Sequence, residues 1–361
     1  MNDCPKNCSG CHDASGDTPK TISRGQMWGI LLLIGVIGSF FAFFSKNNES
    51  ELPVKKYSYP CMGTIVNVSF FESDEVAENA AKAVHDEFKR IEKMCNLFDP
   101  ESELAKLNDQ AYDQPFVCSE ELYSLLLKCR NAHTQTNGAF DITAKALMDM
   151  WGFYVKRKTT PSQEEITRTL KKVGLAKVVF DDTARSVKFT VEGMAFDLGG
   201  VAKGYALDCA AAGAKKAGAE NFILNLGGNI VCSGKNHKGK EFFEIGIRDP
   251  QNHHATADKI RIKNSFCATS GNYERFVIID NKHYSHIMNP LTGYPVQNVY
   301  STTAVASSGI DSDIFSTACF ILGEEFSREA VQKNIVDNII IISRDKNNKT
   351  TLKNIKREEQ K

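Results

Sequence analysis

The sequence has no excess of charge of either sign. Lysine plus arginine and aspartate plus glutamate number 44 each, so the formal net charge is zero. A nucleic-acid binder normally carries a basic excess, so nucleic acid is not expected as a partner. Any anionic ligand must be held by local groups and not by a field over the whole surface. The chain also lacks a Walker loop, the GxGxxG order of a dinucleotide fingerprint, internal repeats and low-complexity tracts. Close cysteine pairs are missing from its main body. Eleven cysteines are present, an odd count, so at least one has no partner within the chain. Those from Cys61 to Cys319 lie far apart and read as small buried hydrophobes. An extracytoplasmic body would allow a disulfide without indicating which.

The 361 residues, 42% hydrophobic and 24% charged, suit one large globular domain or two ordinary ones. Residues 27–44 (MWGILLLIGVIGSFFAFF) are uncharged. As a helix they extend about 27 Å, enough to cross a bilayer core of roughly 30 Å. A cleaved signal peptide would have a shorter apolar core and a small-residue cleavage site, which Ala42, Phe43 and Phe44 do not supply. Lys6, Lys20 and Arg24 precede the run. The positive-inside rule therefore puts the N-terminus in the cytoplasm and the body outside, as a single-pass protein of a bacterial inner membrane facing the periplasm. Ahead of the span stand Cys4, Cys8, Cys11 and His12 (CPKNCSGCH). Three readings stay open there: c-type haem attachment, a metal or iron–sulfur site, and a tail with reactive thiols. The expected cytoplasmic position disfavours haem.

The expected organisation is a cysteine tail at 1–26, the span at 27–44, a polar linker at 45–56, a body at 57–344 and a charged tail at 345–361 that frays at its end. Strands are expected at 64–71, 187–190, 222–226, 242–247, 302–306 and 338–343. Helices are expected at 74–96, 120–135, 203–217, 313–322 and 324–333. Strands and helices do not alternate strictly, which favours an α+β domain with a mostly antiparallel sheet.

Four segments carry chemistry. In Phe196-Asp-Leu-Gly-Gly-Val-Ala-Lys-Gly204 an extended run breaks at two glycines and enters a helix. Glycines there admit a ligand to the backbone, helix N–H groups can face phosphate oxygens, and Lys203 adds positive charge. Asp197 can accept from a sugar or base, or orient the loop. The bland alternative is a tight turn with a solvated lysine. Asp313 and Thr317 lie four apart on one helix face and could share a hard cation such as Mg²⁺, which takes oxygen ligands. Their bland reading is a helix-start acid and a threonine bonded to its own backbone. His286, just before the turn at Pro290 to Gly293, is placed for proton transfer, although a lone histidine is more often structural. Asn137-Gly-Ala-Phe-Asp141, followed by Trp151 and Phe153, offers an acid and apolar surface for a flat ring, or plain core packing for Trp151. Asn225-Leu-Gly-Gly-Asn229 is a further glycine turn.

Taken together these segments resemble the FAD:protein FMN transferase family, often called ApbE-like. The matching order is Cys-Met-Gly-Thr64, Phe98-Asp-Pro with Ser-Glu-Leu104, Gly-Ala-Phe-Asp141, Asp197 to Gly204, Asn-Leu-Gly-Gly228, Ala-Thr-Ser-Gly271, Ser-His-Ile-Met-Asn-Pro290, and Asp313 to Thr317. Eight segments in one order are far more specific than any of them alone. The resemblance implies a single α+β, T-fold-like flavin transferase domain behind the N-terminal transmembrane helix. It implies an FAD site lined by Met62, Phe98, Ala139, Phe140, Asp141, Asp197, Lys203, His286 and Ile287. It implies Mg²⁺ on Asp313, Thr317 and the carbonyl of Ala202, with His286 and Lys203 as the catalytic groups. Phe98 stands where the family often has tyrosine, so an aromatic face is kept and a hydroxyl is lost. The implied reaction joins the FMN half of FAD to a Thr or Ser hydroxyl of an acceptor protein and releases AMP. The implied acceptor is a flavin-carrying subunit of a membrane electron-transfer complex. The same groups would serve an FAD pyrophosphatase, with water as nucleophile. A flavin-binding protein without chemistry and a membrane scaffold defined by the cysteine tail are the remaining alternatives.

Overall fold

Eight strands pair side by side, in chain order, into one sheet. They are β1 (Lys55–Cys61), β2 (Thr64–Phe70), β3 (Phe222–Leu226), β4 (Asn229–Ser233), β5 (Phe266–Gly271), β6 (Val299–Ala306), β7 (Asn338–Arg344) and β8 (Thr350–Lys356). Each pairs antiparallel with the next. The computed structural model describes residues 52–252, 254–347 and 349–357. The expected span at 27–44 and the cluster of Cys4, Cys8 and Cys11 lie outside these residues. Among the described residues no helix is long and apolar enough to cross a membrane.

Period-2 alternation gives the sheet two apolar faces. Ala304 and Ala306 of β6 and Ile339 and Ile341 of β7 join the larger core with the helices. Val305, Ile340 and Ile342 point the other way, onto Phe243, Ile245 and Ile260 of the hairpin Phe243–Arg248 and Thr256–Ile262. A one-residue slip would exchange these faces, so the register is tightly specified.

Three helices cover the first face: α1 (Asp74–Cys95), α2 (Ala202–Lys216) and α3 (Gly309–Leu322). In α1, Ala77, Ala80, Val84, Phe88, Ile91 and Cys95 recur at helical spacing and are buried. Helix α3 runs between α2 and strands β5 and β6 and is buried on most sides, Asp313 included. It starts one turn before the expected 313, because Ser308 caps it by accepting from the Asp311 N–H at 3.1 Å. Asp313 is therefore in the second turn, not an acid at the helix start.

Two boundaries at the ends differ from expectation. Within the expected charged tail at 345–361, residues 350–356 form β8. Ile355 lies opposite Ile339 and is buried, while Lys353 and Lys356 face solvent. One buried isoleucine in a charged stretch is a weak signal until the open edge of β7 is there to receive it. Likewise β1 begins at Lys55, inside the expected linker, because it completes the other sheet edge against β2.

Candidate functional site

The start of α2 organises the site. Asp197 Oδ1 accepts the Gly199 N–H at 2.9 Å, closing the turn that precedes the helix. The N-cap, Val201, supplies no side-chain acceptor; its own N–H and that of Ala202 turn back onto the Leu198 carbonyl, and the Lys203 N–H is left without an acceptor among the described residues. Ala202, buried, and Lys203 follow as its first residues. The Gly204 N–H donates to Asp313 Oδ2 at 2.9 Å, which ties α3 to α2 at this point. Oδ1 of Asp313 has no hydrogen-bond donor among the described residues.

The close approach of α2 and α3 depends on two glycines. A Cβ on Gly204 would stand 2.2 Å from the Gly309 carbonyl oxygen, and one on Gly309 would stand 2.2 Å from that of Gly204. Asp208 of α2 fixes the crossing by accepting the N–H groups of Gly309 at 2.7 Å and Ile310 at 3.0 Å. Burial pushes its carboxyl pKa up. Thr317, one turn beyond Asp313, has its hydroxyl 3.0 Å from Ser270 Oγ of β5. A Cβ on Gly200 would lie 3.6 Å from that hydroxyl and 3.3 Å from the Phe140 ring. The glycine thus leaves room where Phe140, Thr317 and the loop converge.

On the other side stand His286 and an aromatic group. His286 Nδ1 donates to the Arg275 carbonyl at 3.0 Å, and its backbone N–H reaches the same oxygen at 3.2 Å. Burial, followed by the charges of Arg275 and Lys203, lowers its pKa to about 4 against the raising effect of that bond and of Asp197. A neutral imidazole that spends Nδ1–H on a carbonyl keeps Nε2 as its open acceptor. The Tyr154 hydroxyl donates to Asp197 Oδ2. Burial, then the Asp197 charge, holds that phenol far above its usual range. Phe98, 69% exposed, packs edge-on to the Tyr154 ring at 5.3 Å, and the Arg275 guanidinium lies 6.0 Å above the same ring.

Contacts therefore join Phe98, Asp197 and His286 through Tyr154 and Arg275, and Asp313 is bonded to Gly204, the residue after Lys203. Phe140 and Thr317 meet at Gly200. Four other expected residues, Asp141, Ala139, Ile287 and Met62, are engaged differently. The Asp141 carboxylate turns inward, accepting from the Thr143 N–H at 2.8 Å and hydroxyl at 2.6 Å, with His133 Nδ1 at 3.4 Å. Burial raises its pKa. Beside it, His133, Asp141, Leu170 and Pro290 help line a cavity of about 400 Å³. Ala139 is buried, and so is Ile287, whose N–H is held by Ser285 Oγ at 3.1 Å. Met62 sits in the β1–β2 turn at φ +50°, its N–H held by Glu92 at 2.6 Å. It packs against the larger core, and Thr64 of the same turn stands against Gly227. Trp151 is core, its Nε1 donating to the Gly293 carbonyl at 2.8 Å.

Sequence reasoning missed Tyr154, Arg275, Asp208 and Gly309. Tyr154 directly follows the aromatic pair Trp151 and Phe153 in the sequence. The others become visible only when distant segments meet. Among the described residues no three His, Cys, Asp or Glu side chains gather as a metal cluster. A cation here would rest on one carboxylate with hydroxyl and carbonyl oxygens.

The family model described as ApbE family matches residues 62–340, which takes in every site segment above. The chain belongs to the ApbE family. A protein of Treponema pallidum named FAD:protein FMN transferase is 30% identical over 295 residues, covering 76% of this chain and 81% of that one. One of the same name from Haemophilus influenzae is 27% identical over 326 residues, covering 87% and 94%. The crystal structure of the ApbE protein from Thermotoga maritima superposes with a TM-score of 0.76 at 32% identity, covering 84% of this chain and 97% of that one. This ApbE-family chain thus shares its fold with that structure over 84% of its length.

Proposed function

We infer that this chain is an FAD:protein FMN transferase, an enzyme that moves the FMN half of FAD onto a hydroxyl of another protein. Family membership and the names of its relatives support the activity. The observation that carries the site assignment is the bond from Gly204 N–H to Asp313. It brings the carboxylate expected to hold a cation to the glycine turn expected to hold phosphate.

The residues fit a hard cation. Asp313 Oδ1, the Thr317 hydroxyl and the Ala202 carbonyl are all oxygen donors, and Gly200 leaves open space in front of Thr317. Bound there, Mg²⁺ would supply positive charge to the diphosphate of FAD. The Lys203 ammonium and the Lys203 N–H at the α2 start add fixed positive potential at the same place. Phe98, Met62, Phe140 and Asp197 line the flavin nucleotide, and the buried Ala139 and Ile287, with the inward-turned Asp141, back that wall. The acceptor Thr or Ser oxygen forms a bond to the FMN phosphorus while the bond from that phosphorus to AMP breaks. His286 Nε2 takes the hydroxyl proton, and AMP leaves with the bridging oxygen.

The same reading anchors the domain in a bacterial inner membrane through residues 27–44, with the domain on the periplasmic side. The acceptor is then a subunit of a membrane electron-transfer complex. The uncharged run and the cations ahead of it support this.

The deciding assay incubates the protein with FAD, Mg²⁺ and a flavin-carrying acceptor subunit. A covalent mass gain of one FMN on the acceptor, lost when a chelator is added, is expected. Free FMN and AMP without labelling would make the enzyme a pyrophosphatase. Within the same assay, Phe98→Ala is expected to raise KM for FAD about tenfold with little change in kcat, because the exposed ring contributes stacking to ground and transition states alike. Varying FAD at saturating acceptor measures the two constants.

A further inference from the structure

The Ala-Thr-Ser-Gly271 segment has no role in the reaction described so far, yet Ser270 touches the proposed cation site from behind. Its Oγ lies 2.9 Å from Ser316 Oγ and 3.0 Å from Thr317 Oγ1. Ser316 is fully buried, and its hydroxyl donates to the Asp313 carbonyl at 2.8 Å. The same carbonyl lies 3.3 Å from the Thr317 hydroxyl.

Each hydroxyl has one proton, so the network has few solutions. Ser316 spends its proton on the Asp313 carbonyl. Its oxygen is then an acceptor, and the Ser270 proton is the one that reaches it. Ser270 cannot donate to Thr317 as well, so its oxygen receives the Thr317 proton. The longer contact to the Asp313 carbonyl is the alternative for that proton, and it too points back into α3. Either way the lone pairs of Thr317 are left for the side that Gly200 keeps open.

We propose that Ser270 is a positioning residue for the cation: through the relay Thr317 to Ser270 to Ser316 to the Asp313 carbonyl, it turns the Thr317 hydroxyl into an oriented oxygen ligand. This rests on the reading of Asp313 and Thr317 as ligands. Groups behind metal ligands typically change metal affinity by about 10- to 100-fold when removed.

The test is direct binding of Mn²⁺, as a paramagnetic stand-in for Mg²⁺, to the protein without acceptor, followed by electron paramagnetic resonance. Ser270→Ala is expected to weaken Mn²⁺ binding by about 10- to 100-fold. FAD binding in the presence of a chelator should stay within about twofold of wild type, since the relay does not touch the flavin. Ser270→Thr, which restores a hydroxyl, is expected to recover most of the Mn²⁺ affinity. If Ser270→Ala binds Mn²⁺ as wild type does, the inference is overturned and the cation reading stands. Equal loss of Mn²⁺ and chelator-independent FAD binding would also overturn it, by showing a general packing defect. If wild type binds no Mn²⁺, the cation reading falls and this inference with it.

Discussion

Asp313→Ala is expected to lower the rate of flavin transfer by about a thousandfold while part of the FAD affinity survives. The carboxylate has two separate uses. Oδ2 holds the Gly204 N–H, and Oδ1 faces the proposed cation. Alanine removes both. The loss at Oδ1 withdraws the anionic ligand, and with it the charge that offsets the diphosphate as the bond to AMP breaks. The loss at Oδ2 leaves a buried N–H unpaired, at a cost of about 1–3 kcal/mol in stability. Asp313→Asn separates the two effects. Its amide oxygen can still accept from Gly204, so stability should largely recover, but it has no charge for the cation and transfer should remain low. Transfer at saturating FAD, FAD binding by flavin fluorescence and the denaturation midpoint distinguish these contributions. Normal transfer by a well-folded Asp313→Ala protein would remove the carboxylate from the chemistry.

Such a residue was legible in the sequence because Asp313 and Thr317 repeat at one helical turn. The surroundings that give the pair its meaning were not. Asp313 looked like an acid at a helix start, because the turn before it contains Gly309, a poor helix former that weakens any sequence signal. The structure explains the glycine. Any side chain at 309 would meet the carbonyl of Gly204, and the reverse holds too. Two glycines 105 positions apart in the numbering make one contact, and nothing local marks them as partners. The same holds for Asp208, which reads as a polar residue on α2 until its carboxylate is found capping α3. Strands were easier. The run Ile339 to Ile342 and the alternation in β2 announce buried strands by composition alone. Strand β8 did not, since its edge position asks for only one buried side chain. Tyr154 shows a third kind of gap. Its neighbours Trp151 and Phe153 were weighed as a ring surface, yet Trp151 is core and Tyr154 meets Phe98 and Asp197. Which of several adjacent aromatics faces a cleft depends on the turn at Gly152, whose φ of +82° redirects the chain.

His286→Ala is expected to lower kcat by about a hundredfold or more, the usual range for losing a positioned proton acceptor. The wild-type pH profile should carry its own signature. An ordinary histidine would protonate near 6.5, and activity that needs its neutral form would fall below that pH. Burial, with Arg275 and Lys203 nearby, lowers the pKa of His286 to about 4. Nε2 should therefore stay available down to that region, and kcat/KM should show no acid limb between pH 7 and 5 from this group. Stability follows the same sign. Between about 4 and 6.5 the unfolded chain binds a proton that the folded chain refuses, so stability is full above 6.5 and is lost as pH falls through the folded-state pKa. In His286→Ala that dependence should flatten, because the alanine chain has no proton to refuse. Denaturation midpoints at pH 7, 5.5 and 4.5 for both proteins, beside kcat/KM over the same range, test the two consequences separately. An acid limb centred near 6.5 in the wild type would mean that the imidazole is solvated in the working enzyme, and the proton would then need another acceptor. A flat limb with a retained rate in His286→Ala would leave the pKa argument intact and remove His286 from proton transfer.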